Sequence, residues 1–309
     1  MRSIFSRLYN NDWFLPLAIF AFCLMMALLY SFSVFKITSD SLIEYNTYLF
    51  YVKQGHWSPI SDSLLSSSLW TTYLPSVIQN YLHISNPETV YRWTLAVLVS
   101  PLPSIVFLLC KRYTDRFVAL LMSVVFFSTF YYQGFTAYAR MQVGITMAAL
   151  LILAILSKSK LKYFYIILTS AGLVAAHYTV AYVYTGVLII GAMGVVLLYL
   201  VKKRKIEYGW SLVIAAVVLT IFNLGWYHVV AAPTSYASAV VRGFVGDVLA
   251  HPINVLAGLR LDFITARAFI LARIVVVIVI SVLLWRKAIS FNVIPFLYLV
   301  IAGVALFSI

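Results

Sequence analysis

Two carboxylates one helical turn apart, Asp40 and Glu44, lead the residues of this chain that could do chemistry, in the run Ser39-Asp40-Ser41-Leu42-Ile43-Glu44-Tyr45. A carboxylate within reach of a hydroxyl can take its proton, and two at this spacing can share a substrate or a divalent cation. His56 and Trp57 place a hydrogen-bonding ring beside one that can stack on a ligand. Arg140, Arg260 and Arg267 could hold a phosphate, whose geometry a guanidinium matches. His177 and Tyr178 interrupt what are otherwise about 40 apolar residues. Each has a plainer reading as well. Ser41 to Glu44 matches a capping box, an arginine at the end of a span can snorkel, a tryptophan at an interface can be an anchor, and a turn needs polar residues of some kind.

The elements that must position these groups follow from composition. Of 309 residues, 63% are hydrophobic and 10% are charged, with a mean hydropathy of +0.98. This balance excludes an ordinary soluble domain and predicts an all-α, polytopic membrane protein. A helical span needs roughly 20 apolar residues to cross about 30 Å of hydrocarbon. We read about nine spans: residues 13–36, 88–110, 117–137, 141–157, 161–176, 180–201, 209–231, 267–285 and 290–308. The first follows basic residues, has no small-residue cleavage site after it, and reads as retained. Cys23 and Cys110 fall within spans and give no disulfide framework.

The net charge of +13 would suggest nucleic acid in a soluble protein, but its distribution gives a different account. Basic residues precede the first span, and basic clusters follow the second, fourth, sixth and eighth. Placing them all inside puts fourteen of the 22 cations in the cytoplasm, with the N-terminus. The excess charge is then a topology signal, and no nucleic-acid partner is expected. All five histidines and six of the nine carboxylates fall on or near the opposite, extracytoplasmic face. The expected arrangement is a single transmembrane domain, 1–309, with outer loops at 37–87 and 232–266, the second a candidate flap.

Within the first loop, Ser41 predicts a helix start with Asp40 just before it, Gly55 predicts its end, and Leu42, Tyr45, Leu49 and Val52 predict its buried side. A second short helix is predicted from Leu74 to His83. Asn86-Pro87-Glu88 reads as N-cap, first-turn proline and first-turn acid of the second span.

The run from Ser39 to Tyr45, continued through Tyr48 to Gly55-His56-Trp57-Ser58-Pro59, resembles the first extracytoplasmic loop of GT-C superfamily glycosyltransferases. Leu74-Pro75, Arg140, the His177-Tyr178 turn and the long loop after the seventh span resemble such proteins too. The resemblance covers about 250 residues in topology; only the Asp40 region is motif-like. It implies an inverting plasma-membrane enzyme of the cell envelope that moves a sugar from a polyprenyl-phosphate carrier to a glycan, lipid or protein acceptor, outside the cytoplasm. In that family an acidic residue of this loop serves as general base or helps to hold a metal ion such as Mg or Mn. Asp40 is the matching position, with Glu44 beside it and the arginines near the leaving phosphate. Family members often carry a second acidic site in a later loop, and between spans three and four this chain has only Gln133 and Arg140. The chain also ends at Ile309, without the further spans or outer domain of many members. Two alternatives stay open: a polymerase or ligase of lipid-linked glycans, and a non-catalytic membrane subunit.

Overall fold

Apolar runs of this length satisfy their backbone hydrogen bonds internally only as helices. The computed structural model describes residues 12–33, 37, 39–58, 68–137, 139–202 and 208–230, all within one compact unit, Met1–Ala231. Regular structure among them is entirely helical: α1 (Phe14–Ser33), α2 (Ser39–Gln54), α3 (Tyr73–Leu82), α4 (Pro87–Val99), α5 (Pro101–Cys110), α6 (Arg116–Ala137), α7 (Ala139–Ile155), α8 (Lys162–Ala176), α9 (Tyr178–Lys202) and α10 (Gly209–Val230).

Among the described residues, four stretches are long and apolar enough to cross a membrane: Phe14–Phe32, Pro87–Cys110, Tyr178–Leu197 and Gly209–Tyr227. The second joins α4 to α5 through Ser100, whose N–H still reaches Ala96 O at 3.1 Å, while Pro101 opens the next helix without a donor to lose. The apolar stretches Arg140–Ile155 and Lys162–Ala176 are shorter. At 1.5 Å per residue they reach only about 24 Å, less than the hydrocarbon thickness. The expected spans 267–285 and 290–308, the loop 232–266, Arg260 and Arg267 lie outside the described residues.

Helix α7 packs along α8, α9 along α10, and α10 also against α8; α5 lies between α1 and α6 and touches α7. Small residues permit the close approach that substitutes for a hydrophobic driving force between helices in lipid. Ala27, Ala96, Val143 and Ala176 are buried together with Tyr48, Tyr91, Leu95 and Val99. This cluster ties α1, α4 and α7 to the loop helix α2.

The expected loops gather at two ends. At one end Asp12 meets Lys111 and Arg116, the latter at 2.8 Å, and Arg112 donates to Leu156 O at the end of α7. The other end carries α2, α3 and the α8–α9 break. There Asn86 caps α4 by accepting from Thr89 N at 3.2 Å, and Glu88 accepts from Arg92 Nε at 2.9 Å. Arg92 also donates to Ser31 O near the end of α1. Cap, proline and first-turn acid thus act as read from the sequence.

Candidate functional site

The loop helix α2 sets the site, and it differs from expectation in two ways. It begins at Ser39, so Asp40 and Ser41 sit inside its first turn. The predicted capping box is not the role of Glu44, whose carboxylate turns to Arg140, with Oε1 accepting from Nε at 2.6 Å. The buried side is also rotated. Ser41, Glu44, Tyr48 and Tyr51 are buried, Tyr45, Leu49 and Val52 are half-buried, and Leu42 is 45% exposed beside exposed Ile43 and Phe50. A helix at a lipid boundary can keep its apolar side outward and its polar groups inward, which inverts the rule for water. The end of the helix is as expected: Gly55 takes φ +74° and its N–H bonds to Tyr51 O at 2.9 Å.

Glu44 and Arg140 form a buried ion pair, with side chains 1% and 12% exposed. Arg140 is the second residue of α7, where the helix dipole disfavours a cation, so the Glu44 carboxylate supplies the compensating charge. Tyr91, from α4, brings its hydroxyl within weak hydrogen-bonding reach of Glu44 Oε2 at 3.5 Å and of Ser41 O at 3.4 Å. Its ring stacks on Tyr48 at 5.8 Å and meets Tyr45 edge-on at 5.3 Å. Tyr48 in turn donates to Gln79 Oε1 and Pro87 O, fixing α2 to α3 and to the start of α4.

His177 is the single non-helical residue between α8 and α9, in extended conformation. Its Nδ1 accepts from Val180 N at 3.3 Å, so the imidazole acts as the N-cap of α9 and carries its proton on Nε2. Burial, and then the nearby Arg140 charge, push its pKa from 6.5 down to about 3, so it is neutral. Gly144 makes the seat possible. It lies one turn into α7 from Arg140, and a Cβ there would meet His177 Cβ at 3.1 Å and Val180 Cβ at 3.2 Å.

The structure therefore brings Glu44, Arg140 and His177 to one end of the bundle, with Tyr178 stacked on His177 at 5.0 Å. Asp40 occupies the helical turn before Glu44 on the same side of α2; its side chain is outside the described residues. His56 is exposed, with Nδ1 3.1 Å from Gln54 O, and Trp57 stacks on Trp226 of α10 at 5.9 Å. Sequence reading missed Tyr91, an unremarkable tyrosine in an apolar span, and Asn223, a lone amide inside α10. The second had a usable signal, because a polar group in a span is costly and calls for a partner.

Asp40, the expected metal-holding position, has its side chain outside the described residues. Among the described residues no three His, Cys, Asp or Glu side chains are grouped to hold an ion. Glu44 has a guanidinium at 2.6 Å, where a divalent cation would have to stand. The described residues alone offer no set of metal ligands. A groove of about 690 Å³ between α9 and α10 is lined by side chains such as Met193, Leu197, Val217 and Thr220. It has no acid, base or cation for this chemistry. No family model, curated protein or solved structure matches the chain.

Proposed function

We propose that the chain is a GT-C-like, multi-spanning plasma-membrane glycosyltransferase, with a cytoplasmic N-terminus and an extracytoplasmic site, that uses a polyprenyl-phosphate-linked sugar. The observation that supports this reading most is the buried meeting of the first-loop helix with Arg140 and the His177 turn. In the proposed reaction an acceptor hydroxyl oxygen attacks the anomeric carbon as Asp40 takes its proton. The bond from that carbon to the carrier phosphate breaks, and the phosphate leaves with the electron pair. Glu44 does not serve as the base. It holds the Arg140 guanidinium, and Arg140 offsets charge growing on the phosphate.

The test is sugar transfer by the purified full chain in proteoliposomes, supplied with radiolabelled polyprenyl-phosphate hexoses and pentoses. Asp40→Asn is expected to abolish transfer while the protein still inserts and folds. Undiminished turnover would reject Asp40 as base, and no transfer from any donor by the wild type would reject the reading. A second reading, a non-catalytic membrane subunit, is favoured by one observation: Glu44 and Arg140 neutralise each other, as a purely structural pair would. Under it Asp40→Asn is silent and a partner copurifies.

A further inference from the structure

Asn223 and Trp226 lie three residues apart on α10, so their Cβ atoms share a side of the helix at roughly 5–6 Å. The Asn223 side chain is buried, with the residue 2% exposed. Its Nδ2 donates to Ala181 O at 3.3 Å and to Thr185 Oγ1, while the Thr185 hydroxyl donates to Ala181 O at 2.8 Å. These bonds fix the amide orientation, since the flipped amide would set Oδ1 against a carbonyl oxygen. Asn223 Oδ1 is left buried without a hydrogen-bond partner among the described residues, and so is Trp226 Nε1.

One orphan is an acceptor and the other a donor, and each is costly to leave buried and unpaired. A hydroxyl is both donor and acceptor, so neighbouring hydroxyls on a ring can satisfy the two together. The surroundings suit a ring with one apolar side. Trp226 stacks with Trp57 at an interplanar angle of 24°, and Tyr182 stacks with Tyr227 at 5.2 Å. Tyr227 is itself held by its hydroxyl, which donates to Val174 O at 2.6 Å. Rigid aromatic walls with a few convergent polar atoms are the usual make-up of a small-molecule site. We infer that the His177 end of α9 and α10, together with Trp57, forms a sugar-ring subsite in which Trp226 Nε1 and Asn223 Oδ1 read ring hydroxyls. The choice of a sugar over another polyol rests on the transferase reading.

The experiment is a saturation-transfer NMR titration of the full chain, in a detergent without a sugar headgroup, with methyl glycosides of hexoses and pentoses. At least one glycoside is expected to bind saturably. Trp226→Phe, which keeps a ring and removes the N–H, is expected to weaken it at least tenfold, and Trp210→Phe at the other end of α10 to leave it unchanged. Asn223→Leu is expected to act like Trp226→Phe; should it not fold, Trp226→Phe decides. No saturable glycoside, or wild-type affinity in Trp226→Phe, would overturn the inference. Asp40→Asn separates the two ideas. Transfer lost in Asp40→Asn but binding indifferent to Trp226→Phe removes the subsite and keeps the transferase. Transfer untouched by Asp40→Asn but binding lost in Trp226→Phe does the reverse.

Discussion

The two ends of the bundle each join a carboxylate to cations, in opposite settings. Asp12 meets Lys111 and Arg116 with its own side chain 72% exposed, whereas Glu44 and Arg140 are 1% and 12% exposed. The Asp12 carboxyl is lowered below its ordinary range, first by its bond to Lys111, yet water and salt screen such a contact. The inner pair has no such screen, and either member left alone would be a buried, uncompensated charge. The same pairing is thus a surface ornament at one end and a structural necessity at the other.

Breaking the buried pair gives the largest expected effect. Glu44→Leu or Arg140→Met alone is expected to destabilise the protein by about 3–5 kcal/mol, and the double substitution to recover most of that. Thermal unfolding in detergent measures both; a double variant no better than the singles would show that the two charges are not coupled. Transfer activity lost in a well-folded double variant would show that the pair is kept for chemistry.

Packing around His177 comes next. Gly144→Ala sets a methyl against Cβ atoms held by the α8–α9 break, and is expected to cost about 1–3 kcal/mol. Gly186→Ala on α9 meets nothing within 4 Å and is expected to gain about 0.5–1 kcal/mol from helix propensity, giving a sign contrast within one experiment.

Acid sharpens the comparison further. The His177 pKa is depressed, so the unfolded chain takes up its proton first as pH falls. Stability from this group is full above about 6.5 and declines towards about 3. His177→Asn is expected to flatten the unfolding temperature across that window relative to wild type, with the carboxylates common to both; parallel curves would remove His177 as the cause. The smallest effect belongs to Asp12→Asn, for which no resolvable change in unfolding temperature is expected.

Much of the local structure was legible. Asn86-Pro87-Glu88 opened α4 and Gly55 closed α2, because caps and turns depend on residues a few positions apart. The short helix expected from Leu74 to His83 is α3, Tyr73–Leu82. The inward side of α2 was legible only in part: Tyr45, Leu49 and Val52 do pack against the buried cluster, but the fully buried line of Ser41, Glu44, Tyr48 and Tyr51 beside them was not read. Periodicity says which residues share a side, and Leu42, Tyr45, Leu49 and Val52 do share one, but which side faces inward depends on whether water or lipid lies outside. The partner of Glu44 was hidden for another reason: Arg140 is 96 residues away and no local signal links them.

By itself the sequence determined the described helical elements and their apolar character, since these follow from composition and short-range hydrogen bonding. Only the tertiary structure decided that Glu44 belongs to Arg140, that His177 seats against Gly144, and that Asn223 and Trp226 keep polar atoms unpaired. Those outcomes come from long-range packing, in which a buried charge or amide takes whatever partner the assembled helices bring within reach.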